Sequence, residues 1–178
     1  ANHAADRWTQ PDSGIWEVRG GPFHFVHSKV MCWVALDRAI KLGQETGHLD
    51  DIAKWESTAE AIKAQVLERG WNEGKQAFVQ HYATDAVDAS NLLIPIVGFL
   101  PHDDPRVVST VARIQQELQN GAFVHRYLTA ETDDGLTGDE GAFTLCSFWL
   151  VRVLARQGRA DEAKALFTEL LTFGNDLG

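Results

Sequence analysis

The chain has 178 residues, a 44% apolar fraction and a formal net charge of -9. That length suits one domain over residues 1–178, with ample material for a core and none of the composition of a disordered chain. The acidic balance argues against nucleic acid, no apolar run reaches membrane-spanning length, and the start lacks a secretory signal, so a cytoplasmic setting is expected. Cys32 and Cys146 each fall inside an apolar helical pattern. Buried free thiols are the expectation there, rather than a disulfide or a metal site.

In chain order, Pro11, Asp12, Ser13 and Gly14 are turn residues, followed by Trp16, Glu17 and Arg19. Pro22 is placed to open a helix. Phe23, Phe25, Val26, Val30, Met31, Trp33, Val34, Leu36 and Ile40 then cover most of that helix's surface, which marks an inner helix packed on both flanks. Gly43 to Gly47 reads as a break. From Leu49 to Gly70, Ile52, Trp55, Ala59, Ile62 and Val66 form one stripe, the signature of a one-sided outer helix capped by Asp50 or Asp51. Trp71 to Tyr82 changes period around Asn72-Glu73-Gly74 and reads as a small hairpin.

Asp88 and Ser90 are cap candidates for a short helix, Leu92 to Leu100, interrupted by Pro95 and stopped by Pro101. Asp104-Pro105 begins an outer helix through Val107, Val111, Ile114 and Leu118, ending at Gly121. A loop is expected over Ala122 to Asp139, then a second nearly all-apolar helix, Ala142 to Ala155, and a last one-sided helix, Asp161 to Phe173. The order inner, outer, repeated three times, predicts an all-α chain of helical hairpins stacked as part of an α/α toroid, about three of six hairpins.

In such a ring the loops at one end of the inner helices gather around a pocket. Three qualify: Asp12 to Gly21, Ala83 to Ala89 and Val124 to Gly141. Glu17 beside Trp16 is a carboxylate at the end of a buried helix, a placement that raises a carboxyl pKa as a general acid requires. Its bland alternative is a salt bridge to Arg19. Arg126 and Tyr127 lie on the third loop with Glu140, for which first-turn dipole stabilisation is the ordinary reading. Asp85 and Asp88 read as caps rather than catalysts. Tryptophans, acids and an arginine around one pocket suit a sugar, whose C–H faces stack on rings and whose hydroxyls bind charged groups. The histidines have neither HExxH nor CxxC company, and no phosphate loop or serine elbow appears, so neither metal nor cofactor is expected.

The stretch GIWEVRGGPFHFVHSKVMCWVALDRAI strongly resembles the general-acid segment of bacterial glycoside hydrolase family 15, the glucoamylase-like enzymes that include bacterial trehalases. RYL…DGLTGDEGAFTLCSFWLV resembles that family's next inner helix with its preceding loop. The resemblance implies a six-hairpin α/α toroid and hydrolysis of α-glucosidic bonds with inversion. It implies Glu17 as general acid, Trp16 as the aromatic beside the terminal sugar, and Arg126 of the Arg126-Tyr127 pair as a ligand of substrate hydroxyls. Arg19, Glu140 and Trp149 join the substrate site by looser correspondence. Val18 stands where fungal members carry a second glutamate, which points to the bacterial branch. In the family the general base follows an Asn-Asp-Leu-Gly stretch, here residues 175–178, so the base is expected beyond Gly178 and the chain is expected to be a fragment inactive by itself.

The rival expectation is a non-catalytic carbohydrate-binding or scaffold protein that keeps the helical framework. The expected partner is a small α-glucoside. Three hairpins leave flanks of the Phe23–Ile40 and Phe143–Leu154 helices without neighbours, so a homo-oligomer through those inner-helix faces is also expected.

Overall fold

The computed structural model describes residues 1–129, 132 and 142–175. Helices dominate. α1 spans Asn2–Arg7, α2 Val26–Thr46 and α3 Ile52–Arg69; a two-stranded hairpin, β1 (Trp71–Asn72) and β2 (Ala77–Phe78), follows. A 3-10 turn at Ala89–Leu92 leads into α4 (Leu93–Ile96), then come α5 (Pro105–Leu118) and a second hairpin, β3 (Gln119–Asn120) and β4 (Phe123–Val124). α6 (Thr144–Arg156) and α7 (Ala160–Leu171) close the order.

α2 packs along α3, and α6 along α7; α4 sits between α2 and α6, so the inner helices are consecutive neighbours. The predicted outer stripes are the buried ones. Ala59, Ile62 and Val66 of α3, Val107, Val111, Ile114 and Leu118 of α5, and Ala163, Leu166 and Leu170 of α7 all join one core. Burying each such side chain contributes about 1.5–3 kcal/mol relative to exposure, which is why period 3.6 alone located these helices.

The first inner helix departs from expectation at both ends. It starts at Val26 rather than Pro22, because residues 23–25 are drawn into extended pairing: Asp12 bridges Phe23 and Phe25 bridges His81. The rings pull the segment there, Phe23 stacking on His81 at 4.2 Å and Phe25 meeting it edge-on at 5.3 Å. The helix then runs through Gly43 to Thr46 and stops at Gly47, whose φ of 76° and N–H bond to the Gly43 carbonyl form a left-handed cap. Gly43 is needed mid-helix, since a Cβ there would lie 2.7 Å from the His48 carbonyl oxygen.

The predicted helix Leu92–Leu100 shrinks to the 3-10 turn and α4. Pro95 has no N–H to give the Asn91 carbonyl, and Gly98, with φ 82°, turns the chain away. Two elements lie outside the expectation altogether. α1 rests on α3, with Trp55 Nε1 donating to Asn2 Oδ1 at 2.7 Å. The β3–β4 hairpin takes the end of the expected outer helix and the start of the expected loop; its turn residues are Gly121 and Ala122, and glycine at the first of them, with φ 58°, suits a tight hairpin turn. Both cysteines are free, Cys146 buried and Cys32 half-buried, and burial pushes the Cys146 thiol up to about 12.

The inner helices are not covered on both flanks. Met31 of α2 is 39% exposed, and on α6 Leu145 and Phe148 are 47% and 38% exposed.

Candidate functional site

The first site loop is built from Asp12. Its carboxylate accepts the Gly14 N–H at 2.7 Å and the Ser28 hydroxyl at 2.7 Å, fixing the turn to the first turns of α2. Gly14 is required: its φ is 70°, and a Cβ would meet the Phe25 ring at 2.9 Å. Lys29, 1% exposed, holds the preceding segment by donating from Nζ to the Trp8 and Gln10 carbonyls at 2.6 and 2.5 Å. Burial lowers its pKa, with the Asp12 charge opposing. A lysine inside an apolar helical run was the legible sign of this anchor.

Residues 14–17 form the turn that follows, and Glu17 ends it with φ 53°. Among the described residues only Gln76 shares that left-handed conformation without being glycine. Such a residue costs on the order of 1–3 kcal/mol and persists where surrounding structure over-determines it, often at functional sites. The surroundings here are its neighbours: Val18 is buried with Phe25 and Tyr127, and Trp16 packs on the same cluster. Glu17 therefore lies between two side chains pinned against the Tyr127 segment while its own is exposed. The burial expected around this carboxylate is not seen. Nor is the salt bridge to Arg19, which is itself exposed; neither residue has an ion pair among the described residues.

Trp16 is the joint of the site. Its indole N–H donates to both carboxylate oxygens of Asp88 at 3.0 Å. The Arg126 guanidinium lies 5.1 Å above its ring and 5.2 Å from that of Tyr127, and Arg126 also donates to the Tyr127 hydroxyl at 3.3 Å. Cations over aromatic faces gain about 0.5–2 kcal/mol. Trp149 of α6 tilts against Trp16 at 6.4 Å, and Phe143 meets it edge-on at 5.7 Å.

Of the residues singled out in the sequence, Trp16, Arg126, Tyr127 and Trp149 are thus brought together, with Glu17 on their rim. Arg19 stands apart. Glu140 lies outside the described residues.

Asp88 exceeds the role expected of it. It caps the 3-10 turn through the Ser90 N–H at 2.7 Å, as predicted, but it is 2% exposed and also takes the Gln80 amide at 2.9 Å. Gln80, 3% exposed, receives the Thr132 hydroxyl at 3.4 Å. Nothing in the spacing of Gln80 and Asp88 marks them, because their partners are remote in sequence. His27, at the start of α2, has its pKa lowered by burial against the opposing charges of Asp88 and Asp12. A groove of about 360 Å³, lined by Gly14, Ile15, His27, Ser28, Met31 and Cys32 among others, opens beside the Glu17 turn. A larger cavity of about 720 Å³ sits at the far end of α2, around Leu42, Thr46, His48 and Trp55, and holds none of these residues. Among the described residues no group of three His, Cys, Asp or Glu side chains is placed to hold a metal.

The arrangement offers a cation held between two rings, a stacking surface and an exposed carboxylate, which together fit a neutral polyhydroxylated ring. Comparison with known proteins bears on this directly. The model of glycosyl hydrolases family 15 matches residues 1–175. The trehalase of Mycobacterium tuberculosis is 50% identical over 174 residues, covering 98% of this chain and 25% of that protein. The trehalase of Thermoplasma volcanium is 40% identical over 172 residues, covering 96% of this chain and 27% of that protein. The chain thus spans about a quarter of the length of these relatives. A glycosidase solved in complex with glucose superposes with a TM-score of 0.76 at 22% identity, covering 91% of this chain and 42% of that one. The expected α/α toroid of helical hairpins is the fold found.

Proposed function

Because the chain belongs to glycosyl hydrolases family 15, we propose that it forms part of a trehalase-like enzyme, an inverting glycosidase that cleaves an α-glucosidic bond. The observation that carries the reading is the convergence of Trp16, Arg126 and Trp149 beside a strained, exposed Glu17, in a chain 50% identical to a trehalase along almost its whole length. Trehalose is favoured over maltooligosaccharides because the relatives named trehalase match at 40–50% identity.

In this reading Glu17 donates a proton to the glycosidic oxygen as the bond breaks. Trp16 stacks on the terminal sugar, and the Arg126 guanidinium, held at a fixed height over the Trp16 ring, donates to its hydroxyls. Tyr127 and Trp149 fix these two. Inversion needs a second carboxylate about 6.5–9.5 Å from the first, with a water between them.

The test is glucose release from trehalose by the natural-length gene product and by its Glu17→Gln variant. Loss of a general acid costs about 10²–10⁴-fold, so turnover should fall at least about 10²-fold. Turnover within a few-fold of the parent removes Glu17 from the mechanism. Tight trehalose binding without hydrolysis by the parent supports the carbohydrate-binding alternative instead.

A further inference from the structure

The buried Asp88–Gln80 pair reaches all three site loops. Asp88 holds the first loop through the Trp16 indole N–H, with both contacts at 3.0 Å. It belongs to the second loop, where it caps its own turn through Ser90. The third loop is tied twice: the Ala89 N–H, one residue on, donates to the Arg126 carbonyl at 2.8 Å, and Gln80 takes the Thr132 hydroxyl while donating to Asp88. Trp16 and Arg126 are 110 positions apart in sequence, yet both are referred to the same two residues, 88 and 89.

We propose that Asp88 is a positioning residue for the reaction. By fixing the indole of Trp16, it sets the Arg126 guanidinium over the ring and holds the turn whose last residue is the strained Glu17.

The chemistry favours this over simple capping. A cap needs one oxygen, and Ser90 occupies one side of Oδ1. Both oxygens also face the same indole N–H, so the carboxylate sets the ring's direction as well as its distance. Asp88 is nine-tenths and more buried, so it does not itself touch a sugar. A turn freed by about 1 Å suffices to lower a rate about 10²-fold.

The inference rests on the trehalase-like reading, and its test separates the two. Kinetics on trehalose are measured for the natural-length protein and its Trp16→Phe, Asp88→Ala and double variants, each checked for folding by circular dichroism. Asp88→Ala should lower kcat about 10²-fold, while the double variant should be no slower than Trp16→Phe by more than about threefold. If Asp88→Ala does not fold, Asp88→Asn takes its place, since it keeps the volume but offers an N–H₂ where an acceptor is required. In parallel, the indole ¹H–¹⁵N resonance missing from Trp16→Phe is followed in the Asp88 variant. It should move upfield as the carboxylate bond is lost. Additive losses in the cycle, or an unmoved resonance, would overturn the proposal. A parent without activity on any α-glucoside refutes the enzymatic reading, whereas the resonance still decides whether Asp88 holds Trp16.

Discussion

Replacing Trp16 by phenylalanine tests the joint of the site through stability alone. The substitution keeps an aromatic ring but removes the indole N–H that points at Asp88. Asp88 is 2% exposed, so water does not replace the lost donor. It retains the Ser90 N–H at 2.7 Å and the Gln80 amide at 2.9 Å, and so remains partly satisfied. A hydrogen bond to a charged group contributes about 1.5–3 kcal/mol. Weakening the Arg126 contact, since phenylalanine attracts cations less than tryptophan, adds about 0.5–1 kcal/mol. The expected loss is about 2–4 kcal/mol by these two figures together. With a urea dependence of about 2 kcal/mol/M, the unfolding midpoint falls by about 1–2 M. Far-ultraviolet circular dichroism is the suitable probe, because a change of tryptophan count distorts fluorescence. Arg19→Ala, at an exposed position, serves as the control and should stay within about 0.5 kcal/mol of the parent. A midpoint shift below about 0.3 M for Trp16→Phe, under about 0.6 kcal/mol on the same slope, would mean that Asp88 is satisfied without the indole.

Glu17→Gly relieves a left-handed conformation that costs a non-glycine residue about 1–2 kcal/mol, against the greater entropy that glycine gives the unfolded chain, about 0.5–1 kcal/mol. Urea melts should place it within about 0.5 kcal/mol of the parent, while trehalose turnover by the natural-length protein falls at least about 10²-fold; a loss above about 1 kcal/mol would assign the side chain a structural contact. Burial lowers the pKa of His24, His27, His81 and His102. The unfolded chain, with histidine near about 6.5, then binds protons more readily than the folded one. The corresponding stability is full above about pH 6.5 and is lost as pH falls through the lower folded values, so a midpoint that rises between pH 7 and pH 5 would contradict these assignments. The uncovered apolar side chains Met31, Leu145, Phe148 and Phe167 predict concentration-dependent self-association of the 178-residue chain, most simply a two-fold dimer; sedimentation showing a monomer at micromolar concentration refutes it.

The sequence by itself determined whatever depends on near neighbours along the chain. Ile62 and Val66 share a helix face because they are four apart, and both are fully buried. Asp104 caps α5 because its carboxylate reaches the Arg106 N–H two residues on, at 2.9 Å, with Pro105 at the first helical position. A resemblance written in local motifs singled out Glu17, Trp16 and Arg126 as candidates. What remained belonged to tertiary structure. α2 begins at Val26 because Phe23 and Phe25 find the His81 ring, which no helix signal around Pro22 can anticipate. A carboxylate three positions from another reads as a cap, and only packing shows what else it holds. For Asp88 the deciding partner, the Trp16 indole, lies 72 residues away. The bond forms because folding removes water from both groups at once and leaves each the other's best remaining partner.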